Sequence, residues 1–499
     1  MQLPVVEQFI TEHRQGYALL IGAFIGILSA IVALMLVLAG PVMTFGFVFA
    51  VLIGLIALSN LEVALLVILA TATLLPYGTL PFDIAVTPSL LDVALGTFLV
   101  VYLFQWMTGR RHDLRLSWVH GAFLMFLSII LLAFVLGVGN APLTPGILRR
   151  FLGLLVNIAL ALVIFDVVRT PIAVRRIAAT LIILGTVSAL IGTVLWLLPD
   201  MTAEAILNRL GRIGYPVGGV IRYREDGVTR GIERAIGTWI DPNAFGGCLM
   251  MIGALTAPQL LAKRTVFGYR FIAFILMGII GIGLFLTNSR GSLLGLVAGV
   301  GVVALLRYRR LIWLMIFAGG GSLLLPPVQD LIQRYAAGFS AADLETQMRL
   351  GEYGDALELI SRYPVIGVGF SAPPDIDLYL GVASTYLTIA TNAGIVGLAA
   401  YLATIGSVFF FGYRGRKTIT ADDYVNDVWF GFLGGIIGAL VSGIFDHFYF
   451  NIQFQATSLI FWFYVGMFLA IIRICNPLPD TDLAKLARVP IVKRFSEIE

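Results

Sequence analysis

The sequence predicts an all-α membrane protein, a polytopic bundle of about fourteen transmembrane helices. Three observations predict it. Of 499 residues, 59% are hydrophobic and 12% charged, with a mean hydropathy of +0.95; a soluble domain carries roughly 25% charged residues. The apolar segments are helix-length, about 15–25 residues, rather than the alternating strands of about ten residues that build a barrel. Short basic loops recur on one side of those segments, as the positive-inside tendency requires.

Spans are expected to start near Tyr17, Pro41, Leu61, Ser89, Trp118, Arg150, Ile172, Asn243, Phe271, Gly291, Leu311, Thr385, Asn426 and Ala456. The third is short. The loops "GRRHDLR", "RTPIAVRR", "KRTVFGYR", "RYRR" and "RGRK" then fall on one side, together with Lys263, Lys417, Lys485 and Lys493. That side is predicted to be the cytoplasm, with both termini in it and no cleavable signal peptide. Six segments result: transmembrane helices over 1–198, an extracytoplasmic arginine-rich segment over 199–242, and transmembrane helices over 243–325. After these come an extracytoplasmic loop with an amphipathic helix over 326–384, transmembrane helices over 385–475 and a cytoplasmic tail over 476–499.

Composition narrows the chemistry. Cys248 and Cys475 lie far apart in apolar stretches and give neither a disulfide framework nor a metal cluster. Four histidines make a histidine-built metal centre a poor expectation, so no metal and no cofactor are expected. A net charge of +4 is too small and dispersed for a nucleic-acid footprint.

The outer side carries arginine instead of lysine. Segment 199–242 holds Arg209, Arg212, Arg222, Arg224, Arg230 and Arg234, with six acidic residues that pair with some of them. A guanidinium binds phosphate with a bidentate fork that an ammonium lacks. In "DPN", Asp241 reads as an N-cap with proline in the first helical turn. In "LETQMRLGEYGDALELISRYPVIGVGF", Leu344, Met348, Tyr353, Leu357 and Ile360 follow helical spacing until Pro364, which reads as an amphipathic helix bearing Arg349 and Arg362. Asp375 and Asp377 come after it.

Arg290, in "LFLTNSRGSLLGLVAG", has no acid beside it in sequence and apolar runs on both sides. A guanidinium at the bilayer centre costs at least ~2.5–3.5 kcal/mol, so this one belongs at the surface or in a wet cleft holding an anion. Arg149 and Arg150 stand at the outer mouth of a span, against the positive-inside tendency. His447 is the one histidine expected on the outer side, next to Asp446 in "SGIFDHFYFNIQ"; its near-neutral pKa suits proton transfer.

Four stretches, "GTWIDPNAFGG", "LTNSRGSLLGL", "RLGEYGDALELISRYPVIGVGF" and "STYLTIATNAGIVGL", resemble in their order the bacterial O-antigen ligase and O-antigen polymerase family. The resemblance covers roughly residues 196–465. It implies a GT-C-like fold and a metal-independent, inverting glycosyl transfer at the bacterial inner membrane. The implied donor is a glycan on undecaprenyl diphosphate, the acceptor a second glycan or lipid-glycan, with membrane lipids as surroundings. Arg290 matches the family arginine that holds the diphosphate, and Arg349, Arg149, Arg150, Arg222 and Arg230 are its expected companions. Family ligases carry a His-Asn pair where this chain has Ala383 and Ser384. The proton acceptor is then expected among His447, Asp446, Asp375 and Asp377, and polymerase-like chemistry is favoured over ligation. Two other readings compete: a transporter or flippase, to which the mid-span polar residues Asp92 and Asn157 would point, and a non-catalytic polysaccharide-assembly protein docking through its amphipathic helix.

Overall fold

The computed structural model describes residues 60–80, 87–111, 113–140, 142–225, 230–322, 344–371, 382–419, 424–476 and 481–482, residue 329, and scattered positions between 22 and 56. The chain divides into two units, Met1–Ala64 and Leu65–Glu499. In the first, the described positions between 22 and 56 are helical. The expected span starts at Tyr17 and Pro41 lie outside the described residues.

Twelve helices begin at or near the other expected starts: α1 (Leu61–Leu74), α2 (Leu90–Met107), α3 (Val119–Gly137), α4 (Pro145–Val167), α5 (Pro171–Leu197), α7 (Pro242–Thr256), α8 (Arg270–Leu286), α9 (Arg290–Leu306), α10 (Arg309–Ser322), α12 (Thr385–Gly415), α13 (Tyr424–Ser442) and α14 (Gln455–Cys475). Among the described residues, α2, α3, α4, α5, α12, α13 and α14 are long and apolar enough to cross a membrane by length and composition. This is fewer than the expected fourteen; α1, α8 and α9 are apolar but shorter.

Local chemistry sets the starts. Ser89 caps α2 in a capping box with Asp92, Thr144 and Thr170 cap α4 and α5 with proline next in sequence, and Asp241 caps α7 through the Ala244 N–H at 2.7 Å. Each such cap stabilises its helix by about 1 kcal/mol. Thr144 also moves the start of α4 to Pro145, which places Arg149 and Arg150 a turn inside the helix rather than at its mouth.

Two contacts position the site. Gly291, Gly295 and Gly299 form one stripe along α9; a Cβ at Gly295 would stand 2.6 Å from Gly438 O of α13, and one at Gly299 2.1 Å from Gly434 O. Small residues at this spacing let helix backbones touch in a membrane bundle. In α12, Gly394 adopts φ 69° and breaks the helix. The freed backbone groups pair with the 364–370 loop: Ile395 N–H donates to Pro364 O at 2.8 Å and Val368 N–H to Thr391 O at 2.8 Å. A Cβ on Gly394 would meet Val365 O at 2.1 Å, so the motifs "PVIGVGF" and "TNAGIVGL" are two halves of one joint.

The arginine-rich segment folds into α6 (Asp200–Arg209) and, beyond the short strand β1 (Asp113–Leu114), a hairpin of β2 (Arg222–Glu225) and β3 (Arg230–Arg234), with Arg222 opposite Arg234 and Glu225 opposite Arg230. An apolar cluster of Leu195, Ala203, Leu207, Val220 and Ile236 holds it against the end of α5. The amphipathic helix is α11 (Leu344–Arg362). Its buried face differs from the expected one: Ala356 and Leu359 are buried, whereas Met348 and Leu357 are exposed.

Candidate functional site

The site is built at the end of the bundle where α2, α4, α7, α9, α12 and α14 begin and α13 finishes. Arg290 opens α9 after a turn in which Asn288 has φ 54° and Ser289 caps the helix. A cation at the first helical position faces the positive end of the helix dipole, which disfavours it. The turn is clamped from outside, because Arg234 donates from Nε to Thr287 O at 2.8 Å and from Nη2 to Asn243 Oδ1 at 2.5 Å. Ile240, just before the cap of α7, has φ 62°. A β-branched residue there is a backbone outlier of the kind that clusters at functional sites.

Against Arg290 lies the loop 443–454. A Cβ added to Gly291 would stand 3.2 Å from Asp446 Oδ2. The Asp446 carboxylate, brought from a distant part of the chain, therefore stands against the helix turn that Arg290 opens. Thr385, first in α12, holds this loop through its N–H to Gly443 O (2.8 Å) and Asp446 O (2.9 Å) and its Oγ1 to Asp446 O (2.8 Å).

α11 lies across both. Arg349 donates from Nη1 to Phe445 O, and the Tyr353 hydroxyl to Ala383 O at 3.0 Å. Glu352 Oε2 accepts the Ala383 N–H at 3.1 Å. Burial raises the Glu352 carboxyl above its ordinary pKa, opposed by that N–H and by Arg349. Sequence reading missed Glu352, since its partner is a backbone amide 31 residues away.

His447 continues the site inward. Its ring packs edge-on against Phe454, 5.4 Å between centroids, and its Nδ1 is buried without a hydrogen-bond partner. Burial lowers its pKa; the Asp241 carboxylate opposes that shift and Arg349 adds to it. Asp241 also helps burial push the Tyr77 phenol up, which keeps it protonated. Asp241 thus stands within electrostatic reach of both His447 and Tyr77.

Beyond Phe454 opens a cavity of about 310 Å³, lined by Tyr77, Arg149, Arg150, Trp239, Gln453 and Gln455 among others. Arg149 is already engaged, with Nη1 2.9 Å from Asp92 Oδ2 and 3.0 Å from Thr87 O. Asp92 accepts Gln455 Nε2 at 2.7 Å, and Asn157 Nδ2 donates to Gln455 O at 3.0 Å. Asp92, expected mid-span, thus stands in the first turn of α2, and it and Asn157 hold Arg149 and Gln455, which line the cavity. Arg150 is exposed at its rim.

Of the sequence-derived candidates, Arg290, Arg349, Asp446 and His447 gather around the 443–447 loop, and Arg149 and Arg150 around the adjoining cavity. Arg222 is exposed on the hairpin and donates to Gly219 O within its own turn, at 3.1 Å. Arg230 pairs through its backbone in β3, with its side chain outside the described residues, as are Asp375 and Asp377. Among the described residues no three His, Cys, Asp or Glu side chains gather as metal ligands.

No curated protein matches the chain. The family model of the O-Antigen ligase matches residues 272–402. That span runs from α8 through the kink of α12, so it contains Arg290, Arg349, Glu352 and Gly394, while Arg149, Arg150 and His447 fall outside it. The chain is thus a multispan helical membrane protein whose residues 272–402 match the O-Antigen ligase family model.

Proposed function

We propose that the chain is a membrane glycosyltransferase that polymerises or transfers glycans carried on undecaprenyl diphosphate, at the outer face of the bacterial cytoplasmic membrane. One observation carries the reading: the first turn of α9, which Arg290 opens, stands against Asp446 while Arg349 reaches the neighbouring Phe445 carbonyl, beside a cavity with Arg149 and Arg150 in its wall. Such forks fit a diphosphate leaving group.

In the proposed reaction the acceptor hydroxyl oxygen attacks the anomeric carbon as the bond from that carbon to the diphosphate oxygen breaks, with inversion. The hydroxyl proton passes to Glu352, one turn of α11 from Arg349. The electron pair leaves with the diphosphate, whose growing charge Arg290 and Arg349 stabilise in a half-buried setting. His447, kept neutral by burial, lines the approach to the cavity. Tyr77 and Trp239 give sugar rings apolar and hydrogen-bonding surface.

The test is incorporation of a labelled lipid-diphosphate oligosaccharide into longer glycan by the purified full-length protein. Product that grows with the wild type and not with Glu352→Gln supports the reading. Uptake of the lipid without any new glycosidic bond would favour transport.

A further inference from the structure

At the opposite end of α9 a second basic site has no place in this chemistry. An open groove of about 560 Å³ lies between the end of α9 and the starts of α8 and α10, lined by Lys263, Arg270, Arg307, Arg309 and Arg310. Arg270, Arg309 and Arg310 stand in the first turns of their helices, where the dipole is already positive. Tyr269, at the head of α8, makes no side-chain cap, so the first N–H groups of that helix receive no side-chain acceptor from it. Among the described residues lining the groove there is no carboxylate. The adjacent Asp427 accepts the hydroxyl of Tyr308, and Arg270 Nε donates to Ala262 O at 2.6 Å, leaving its Nη groups for a ligand.

The groove also has an apolar shoulder. Leu305 and Leu306 line it and are 68% and 54% exposed, with Trp313 and Phe271 exposed nearby. Cations and helix N-termini beside an exposed apolar strip match a phosphate joined to acyl chains. Basic pockets between membrane helices recognise lipid headgroups by this combination.

We propose that this groove binds an anionic phospholipid, its phosphodiester among Arg270, Arg307 and Arg310 and its chains along Leu305 and Leu306. The test is native mass spectrometry of the full-length protein with phosphatidylglycerol, phosphatidylcholine and soluble glycerol phosphate. Phosphatidylglycerol should be retained preferentially, and Arg307→Gln with Arg310→Gln should lower that retention by roughly fivefold per cation removed. Arg414→Gln with Arg416→Gln, exposed outside the groove, should leave it unchanged. Should the first pair not be recovered folded, Lys263→Gln alone reads the same loss at roughly fivefold. Equal retention by the groove variants would overturn the proposal, as would an equal loss in the control pair. Displacement of the lipid by glycerol phosphate would assign the groove to soluble phosphate instead.

Discussion

The two ends of the bundle use arginine in opposite ways. Where α4 finishes, Asp166 is buried and surrounded: Arg111 Nη1 lies 2.5 Å away, Arg169 Nη2 3.1 Å, and the Tyr102 hydroxyl also donates to it at 3.1 Å. Arg473, also buried, donates to Val168 O and lies over the Phe165 ring at 5.4 Å. Guanidinium here is a structural strut, matched by carboxylate, carbonyl and aromatic ring. Where α9 begins, the arginines instead approach one loop from separate helices: Arg290 from a disfavoured helix start and Arg349 from a helix laid across the bundle. The surroundings of an arginine at an end of the bundle thus decide its role.

Removing the hub of the structural end should give the largest change in stability. Asp166→Ala leaves Arg111 and Arg169 without their carboxylate and should destabilise the fold by about 3–5 kcal/mol, seen as a lower thermal unfolding midpoint. An unshifted midpoint would erase the distinction between the ends. At the site end, Glu352→Gln should slow glycosyl transfer about a hundredfold with the midpoint nearly unchanged. Because burial raises the Glu352 pKa, the wild-type rate should fall as pH drops through a value above the ordinary ~4.3. In the proposed reaction the carboxylate form accepts the proton and is lost on that acid side, so the glutamine variant should lack this limb. A rate limb unaltered by the substitution would move the base elsewhere.

Tyr353→Phe removes the hydroxyl bond to Ala383 O and should cost about 1 kcal/mol, measurable by thermal unfolding. Loss of all activity without that shift would instead give the hydroxyl a direct part in the chemistry. Arg222→Ala should change neither quantity, because its side chain is exposed and bonded within its own turn. A large rate loss there would extend the site onto the hairpin.

Helix starts and stops were legible in sequence, because the chemistry that controls them is local. Asp241 marks a start through the proline after it, and Pro364 marks the end of α11, whereas Asp92 was read as mid-span and proves to be part of the cap of α2. Pairings between distant elements were not legible. Arg149 looked like an outer cation without an acid because Asp92 lies 57 residues away, and the approach of Asp446 to the first turn of α9 comes from another loop. The stripe of Gly291, Gly295 and Gly299 went unread, because its partners Gly434 and Gly438 on a distant helix give it its meaning. The face of α11 was misjudged because large apolar residues drew attention, while Ala356 and Leu359 make the contact. The arginine-rich segment folds through its few apolar residues, a signal outweighed in sequence by its charges.

The central claim is that Arg290 acts on the leaving diphosphate. Its most direct test is the single-turnover rate of glycosyl transfer by Arg290→Ala, measured beside its thermal unfolding midpoint. The account predicts a rate lower by roughly 10²–10³ with an unchanged midpoint. A wild-type rate from that variant would contradict it.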